Sequence, residues 1–314
     1  MASYAAMGQV FIPASELRGL CHLFLDHEIP AAIGQHIVKF LATSRRGHCI
    51  LACGGDYTAT ITATGELCCF GENARGQCDV NLGAVLAVAA GGDHTAAITA
   101  TGQLCCFGWN DDGQCSPPDI GPVRAVSAGA MHTAAITAVG NLVCFGCNDH
   151  GQCSPPDIGS VLAVSAGCDH TAAVTAQGQL ICFGANADGQ CSPPDLGTVL
   201  AVAAGYNHTA AITTAGRLTC FGNNNAGQCD VPVQQTVVAV AAGCEHTAAI
   251  TSTGQLLCFG DNADGQCDVP DIGPVSAVAA GYGHTVAITT AGRVVCFGHN
   301  FHGQCDVPQH SLSN

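Results

Sequence analysis

Hydrophobic and polar positions alternate along most of this chain in short runs that recur about every 38 residues. In one unit, small and β-branched residues fill positions 85–90, an alternating run covers 94–99, and a third apolar run covers 103–107. A fourth short run surrounds Gln114 and Cys115. Runs of about five residues bounded by Gly or Pro indicate β-strands. The pattern therefore predicts four strands in each unit.

Two phrases recur in phase, so the unit is copied seven times between about residue 49 and Pro308. The phrase F-G-x-N-x-x-G-Q-C begins at Phe70, Phe107, Phe145, Phe183, Phe221, Phe259 and Phe297. The phrase G-x-x-H-T places His94, His132, His170, His208, His246 and His284 at one position, with Tyr57 in the first copy. A fixed period of this length indicates a repeat architecture.

Seven units of four strands predict an all-β fold, a seven-bladed β-propeller over residues 48–308. Helical repeats fit poorly because glycines recur at fixed places and would interrupt each helix. A leucine-rich solenoid has a shorter period. We expect the alanine-rich first strand of each unit to lie innermost, where bulky side chains would push the blades apart.

The repeated phrases also resemble a known family. The pattern A-x-G-x-x-H-T…T-x-x-G-x-L…F-G-x-N-x-x-G-Q is similar to the regulator-of-chromosome-condensation repeat. The resemblance covers residues 48–308 and implies a seven-bladed propeller. The chain departs from the family in two ways, because Cys follows Gly-Gln where the family usually has Leu, and the unit is short. The short unit implies trimmed connecting loops.

Residues 1–47 precede the repeats, and 309–314 form a tail. The sequence Gly8-Gln9-Val10-Phe11-Ile12-Pro13 is similar to residues 303–308, which predicts a strand at 9–12 that adds to the closing blade. The alternative is a chance similarity. Residues 15–46 read as a helical hairpin, with Ser15 as the first N-cap and Pro30 starting the second helix.

The charge is unevenly distributed. The chain has a net charge of −15, and residues after position 47 contribute four basic against 20 acidic side chains. This acidity argues against nucleic-acid and anionic-lipid partners, and favours a basic protein partner or simple solubility. The sequence lacks an apolar stretch long enough to span a membrane and a signal-peptide pattern at its start. We expect a monomer in the cytoplasm, the nucleus or both.

Cysteine fills two positions in every unit. The first set precedes the Phe, and the second set follows Gly-Gln: Cys69, Cys106, Cys144, Cys182, Cys220, Cys258 and Cys296, then Cys78, Cys115, Cys153, Cys191, Cys229, Cys267 and Cys305. The simplest interpretation is a small buried hydrophobic side chain copied by duplication, present as a reduced thiol. Disulfides across hairpins and metal binding are the alternatives, since sequence alone does not establish sulfur proximity.

The sequence predicts no catalytic, metal-binding or cofactor-binding residues, and hence no enzyme. The six repeated histidines could form a metal-binding or catalytic ring, but we expect local hydrogen bonds and packing against the next blade. Tyr57 at the same position weakens the metal interpretation. The phosphate-binding, nucleophile-elbow and zinc-protease motifs do not occur in the sequence.

The loop before each His varies and is the first candidate for binding a protein. Under a propeller fold these loops converge at one end of the axis. They would present Asp56, Asp93, Met131, Asp169, Tyr206, Glu245 and Tyr282. A second variable loop holds Trp109, the only tryptophan, which is a further contact candidate. The alternatives are a solvated acidic rim without a partner and a tryptophan that covers a neighbouring blade.

Three functions remain open from the sequence. The first is a non-catalytic protein-interaction scaffold. The second, implied by the resemblance, is guanine-nucleotide exchange on a small GTPase, which the family's founding member performs on Ran with an insertion from a blade. The blades here lack such an insertion. The third is a partner-binding component related to the propellers of HERC-type ubiquitin ligases.

Overall fold

The computed structural model describes residues 50–232 and 235–308, which form seven sheets of three antiparallel strands arranged as a β-propeller. In chain order, the blades contain β1 (Ile50–Cys53), β2 (Tyr57–Ile61) and β3 (Leu67–Gly71); β4 (Val85–Ala90), β5 (His94–Thr99) and β6 (Leu104–Gly108); β7 (Val123–Ala128), β8 (His132–Thr137) and β9 (Leu142–Gly146); β10 (Val161–Ala166), β11 (His170–Thr175) and β12 (Leu180–Gly184); β13 (Val199–Ala204), β14 (His208–Thr213) and β15 (Leu218–Gly222); β16 (Val237–Ala242), β17 (His246–Thr251) and β18 (Leu256–Gly260); β19 (Val275–Ala280), β20 (His284–Thr289) and β21 (Val294–Gly298).

The predicted all-β fold is confirmed, but the described part of each blade has three strands rather than four. The segment predicted as a fourth strand forms tight turns, in which the Ser116 N–H donates to the Gly113 carbonyl at 3.0 Å. The Asn110 side chain accepts the Cys115 N–H at 2.7 Å, and all seven units repeat this bond at 2.7–2.9 Å. The backbone polar groups of this segment form local hydrogen bonds, so the segment does not pair with the third strand of its blade.

Apolar side chains pack between neighbouring sheets. Between the first two blades, Ala59, Ile61 and Leu67 pack against Val85 and Ala97. The same arrangement closes the ring, because Val286 and Ile288 of the last blade pack against Leu51 and Cys53 of the first. Hydrophobic burial of this kind is the main driving force for joining the blades.

The inner strands meet around the axis, as their alanine content predicts. Cys53, Ala90, Ala128, Ala166, Ala204, Ala242 and Ala280, each the last residue of its inner strand, line a common central cavity. Small side chains at these positions let seven strands approach one axis. Within the described ranges, no helix is long and apolar enough to cross a lipid bilayer.

The predicted strand at 9–12, the helical hairpin at 15–46 and the tail at 309–314 lie outside the described residues.

Candidate interaction face around the axis

Antiparallel pairing brings two sets of variable loops to the same end of the propeller. In the second blade, His94 at the start of β5 lies opposite Gly108 at the end of β6. The inner loops are residues 54–56, 91–93, 129–131, 167–169, 205–207, 243–245 and 281–283, and the outer loops are 72–77, 109–114, 147–152, 185–190, 223–228, 261–266 and 299–304. Together these loops form what we call the loop face.

Seven glycines surround the axis where the inner strands end, namely Gly54, Gly91, Gly129, Gly167, Gly205, Gly243 and Gly281. Backbone hydrogen bonds of 3.0–3.2 Å link each blade to the next around this ring, as from the Cys168 N–H to the Gly205 carbonyl. The Tyr282 N–H closes the circle by donating to the Gly55 carbonyl at 3.2 Å. We call the seven glycines named above the glycine ring.

Only glycine fits at these positions because the next blade's backbone lies so close. A Cβ atom added to Gly167 would lie 2.5 Å from the Gly205 carbonyl oxygen and 2.5 Å from Cε1 of His170. The φ angle of Gly167 is not in the left-handed region, so the constraint at this position is one of space.

The repeated histidines form a buried belt between the blades. All six are fully buried, and the Nε2 atom of each lies 2.8–3.1 Å from a Thr hydroxyl of the next blade. In the first blade, the Tyr57 hydroxyl instead lies 2.9 Å from Thr95 Oγ1 and donates to the His94 carbonyl. Tyr57 therefore replaces histidine while still connecting its blade to the next one.

The threonines determine which tautomer these histidines adopt. Each Thr hydroxyl donates its single proton to the carbonyl of a buried Gln, as from Thr133 to Gln114 at 2.9 Å. The histidine must therefore donate from Nε2, which leaves Nδ1 unprotonated. Nδ1 is buried without a hydrogen-bond partner in all six. We call the Tyr57 and His residues with their Thr and Gln partners the histidine belt.

Burial keeps the belt histidines uncharged. It lowers the pKa of His94, His132, His208 and His246 to about 4, and the pKa of His170 and His284 to about 3. Among the described residues, no three His, Cys, Asp or Glu side chains come together as a metal site. The local hydrogen bonding and interblade packing predicted for these histidines are thus present.

The inner loops converge on the axis as predicted and enclose a cavity of about 80 Å³. Small-molecule pockets usually measure about 300–1,000 Å³, so this cavity is too small for a typical metabolite. Tyr206 and Tyr282 lie at its mouth with 39% and 41% of their surface exposed. Their rings meet edge to face with centroids 6.3 Å apart. Met131, in a neighbouring inner loop, is half-buried.

Carboxylates surround this mouth. Asp56, Asp93 and Asp169 accept hydrogen bonds from Gln304, Gln77 and Gln152 at 3.1, 3.4 and 3.5 Å. Burial raises the pKa of Asp93, and nearby Arg75 acts in the opposite direction. Glu245 is exposed. The three aspartates are therefore hydrogen-bonded within the loop face, whereas the Glu245 side chain is open to solvent.

Trp109 lies in an outer loop and is half-buried rather than fully exposed. The guanidinium of Arg75, from the preceding blade, lies 5.1 Å from its ring centroid, a cation–π distance. This contact connects two outer loops. Trp109 thus contacts a neighbouring blade through Arg75, and part of its side chain is exposed to solvent.

Phe301 is a loop-face residue that the sequence analysis did not single out. It is 84% exposed and meets the ring of His302 edge to face, with centroids 5.1 Å apart. His302 in turn lies 2.6 Å from Glu72 of the first blade. Phe301 occupies a loop position that is polar or alanine in the other six units, and that difference is the signal that could have identified it.

The comparison with family models decides the classification. The model of the regulator of chromosome condensation (RCC1) repeat matches residues 85–114, 123–152, 161–190, 199–228, 237–266 and 275–304, more than half of the chain. The chain belongs to the regulator of chromosome condensation repeat family. Each matched segment runs from the first residue of an inner strand to the buried Gln of the histidine belt.

Solved structures with the same fold come from several organisms. The CRINKLY WD40 ectodomain of the receptor kinase ACR4 from Arabidopsis thaliana has a TM-score of 0.69 and 20% identity, over 82% of this chain and 97% of that one. Prp20p from Saccharomyces cerevisiae, described with its binding to Gsp1p and histones, has a TM-score of 0.67 and 15% identity, over 83% and 84%. No curated protein sequence matches this chain. At these identities the similarity establishes the fold.

The first blade is the most divergent repeat of this family member. It lies outside the matched segments, and it carries Tyr57 where the other six units have histidine. Its interblade contacts are nevertheless equivalent, because Thr58 accepts from His284 and donates to the Gln304 carbonyl at 2.8 Å. The structure thus contains seven repeats, as the sequence predicts.

Proposed function

We propose that this chain is a non-catalytic protein-interaction scaffold that binds a basic segment of a partner on its loop face. The supporting observation is the distribution of charge at that end of the propeller. Asp56, Asp93, Asp169 and Glu245 are joined there by outer-loop carboxylates: Glu72, Asp111, Asp112, Asp149, Asp188, Asp261 and Asp264. Complementary charge steers association and selects a partner of opposite sign.

Arginines of the described residues do little to neutralise this face. Arg75 is the one arginine in its loops, and it lies over Trp109. Arg217 and Arg293 occupy turns at the opposite end, where β14 leads to β15 and β20 leads to β21. The loop face therefore has one arginine for the 11 carboxylates of its inner and outer loops, whereas the opposite end combines Arg217 and Arg293 with carboxylates such as Asp119.

Exposed aromatic side chains supply anchoring groups within the acidic face. Tyr206, Tyr282 and Phe301 are each more than a third exposed. Aromatic residues dominate the energetics of protein interfaces, and their ring faces attract Lys and Arg side chains. An acidic surface with aromatic anchors fits a partner segment that combines basic and apolar residues.

The non-catalytic part of the proposal is supported by the histidine belt. Each belt histidine uses its Nε2 atom between blades and is fully buried, so it does not face a substrate. Residues buried within a sheet interface act through packing, whereas catalytic groups need access to the reacting atoms.

Charge reversal on the loop face tests the proposal. We expect Asp112→Lys, Asp149→Lys and Glu245→Lys, combined in one variant, to weaken binding of a fluorescein-labelled peptide rich in Lys and Arg at least tenfold. All three side chains are exposed, so the fold should be unaffected. Fluorescence anisotropy measures the affinity at about 0.05 M salt and at about 0.15 M salt, where charge screening is roughly physiological.

The matched control reverses the same number of charges elsewhere. Asp119, Asp157 and Asp271 are also exposed and lie before the inner strands, toward the opposite end. We expect the triple Lys variant at these positions to retain most of the affinity. Equal weakening in both triple variants would show that net charge alone attracts the peptide, and the loop-face proposal would be wrong.

Nucleotide exchange on a small GTPase is the alternative function, supported by the shared fold with Prp20p, whose described partners include Gsp1p. An argument against exchange is that the family's founding member uses an insertion from a blade, whereas every outer loop here has six residues. Release of a fluorescent guanine nucleotide from a panel of small GTPases distinguishes the two functions. Acceleration above the intrinsic rate would favour exchange over a passive scaffold.

A further inference from the structure

The two repeated cysteine positions are occupied in every blade, although adjacent positions vary. The residue before the first cysteine is Cys, Val, Ile, Thr or Leu in different units, and the residue after the second is Asp or Ser. Even the belt histidine has an exception in Tyr57. A small buried hydrophobic side chain could be Ala or Val as readily as Cys. Simple packing therefore does not explain why both cysteines are retained together.

The structure brings the two cysteines of a unit together. Cys296 and Cys305 form a disulfide with a Cα–Cα distance of 5.0 Å, inside the usual range for this bond. The remaining twelve of these cysteines are free thiols. In the first unit the neighbouring Cys78 side chain, together with burial, raises the pKa of Cys69.

The other units hold their cysteines by the same backbone contacts. The first cysteine lies in the third strand of its blade, paired in the same register with the middle strand, as Cys106 pairs with Ala96. The second is fixed by the Asn side chain that accepts its N–H at 2.7–2.9 Å in all seven units. The Cα separation suitable for a disulfide in the last blade is therefore a property of the repeat.

We propose that all seven units carry a dithiol that a low-molecular-weight disulfide, such as glutathione disulfide, oxidises to a disulfide within the blade. The second cysteine attacks one glutathione sulfur as a thiolate, forming a mixed disulfide and releasing one glutathione thiolate. The first cysteine then attacks the protein sulfur of that mixed disulfide and releases the second glutathione. Two electrons and two protons pass from the two cysteines to two molecules of glutathione.

The second cysteine is the better nucleophile of each unit. Burial raises the pKa of Cys115, Cys191, Cys229 and Cys267 to about 11, and it raises the pKa of the first cysteines further. Exchange requires the thiolate, so oxidation is slow near neutral pH and faster as the pH rises. These sites respond to sustained oxidising conditions rather than to brief exposure.

Oxidation would join the third strand to the turn that connects neighbouring blades. Each second cysteine directly follows the Gln whose carbonyl accepts the Thr hydroxyl of the next blade, as Gln114 does for Thr133. The first cysteine is on the adjacent strand of its own blade. The new bond therefore anchors the outer loop, which carries the Gln of the histidine belt, to the third strand of the same blade.

The experiment starts from fully reduced, folded protein incubated with glutathione disulfide at pH 8.5. We expect an intact-mass decrease of about 2 Da per disulfide, reaching about 14 Da, without retained glutathione. Peptide mapping after alkylation should place every new bond between the two cysteines of one unit. Retained glutathione adducts, bonds between units, or an unchanged thiol content after prolonged incubation would overturn the proposal.

A single substitution provides the control. Cys115→Ser should form one disulfide fewer, so that Cys106 is left either as a thiol, with a final mass loss smaller by about 2 Da, or as a glutathione adduct of higher mass. Cys147, which is buried and belongs to neither repeated position, should remain unmodified in both proteins. If Cys115→Ser unfolds, Cys191→Ser tests the equivalent site two blades further on.

Discussion

Lowering the pH from 7.5 to 5 should destabilise the folded protein by on the order of 10 kcal/mol, enough to unfold it, because the unfolded chain binds protons that the histidine belt excludes. The pKa of an unperturbed histidine is about 6.5, whereas burial holds the belt histidines at about 3 to 4. Their folded pKa is depressed, so the stability is present above pH 6.5 and lost as the pH falls.

The magnitude follows from proton linkage. At pH 5 nearly every histidine of the unfolded chain is protonated, which stabilises that state by about 2 kcal/mol per belt histidine relative to pH 7.5. Unperturbed Asp and Glu titrate mostly below pH 5, with pKa values of about 3.9 and 4.3. The net charge of −15 acts in the opposite direction, since acid relieves self-repulsion, but salt screens that effect.

Urea unfolding at several pH values and the number of protons taken up on unfolding near pH 5.5 measure this effect. We expect an uptake of close to one proton per belt histidine. His208→Tyr is a natural control, because Tyr57 already occupies the equivalent position in the first blade. It should reduce the uptake by about one proton while leaving stability at pH 8 within about 1–2 kcal/mol. A free energy of unfolding that stays constant down to pH 5 would contradict the prediction.

Replacing a single glycine of the glycine ring should destabilise the protein by more than about 4 kcal/mol. In Gly167→Ala, the added Cβ would lie 2.5 Å from the backbone oxygen of Gly205. That oxygen is held by the Cys168 N–H at 3.2 Å, so the clash is not relieved by rotating a side chain. Because the ring is closed, moving one blade outward strains the other interfaces as well.

Two further alanine variants separate steric from conformational effects. Gly83 has no atom within 4 Å of an added Cβ, so Gly83→Ala should change the free energy of unfolding by less than about 0.5 kcal/mol. Gly189 is equally open but has a φ of +84°, so its replacement should cost about 1–2 kcal/mol. Denaturant melts compare all three variants. A Gly167→Ala protein no less stable than Gly189→Ala would show that the backbone can yield at the axis.

The sequence predicts the strands well because each is a short run bounded by glycine. The predicted runs at 85–90 and 94–99 match Val85–Ala90 and His94–Thr99. The prediction of a fourth strand is wrong because the side chain of Asn110, like its equivalents, accepts a hydrogen bond from the backbone around Gln114 and Cys115. Asn in F-G-x-N could have indicated such a turn, since Asn competes with strand pairing by bonding to nearby backbone.

The site was only partly predictable. Convergence of the inner loops follows from the propeller fold, and the structure confirms it at Tyr206 and Tyr282. The placement of the outer loops at the same end also follows from antiparallel pairing, but the glycine ring depends on distances between distant blades that sequence does not provide. Whether these residues bind a partner stays a prediction.

Ring closure also changes how the repeats share their stability. In an open array the terminal repeats contact one neighbour and can fray independently of the middle. Here every blade has two neighbours, since the first and last blades join through Thr58 and His284 as the others do. Opening any one blade disrupts two interfaces at once, so the repeats should lose their structure together, in one cooperative transition.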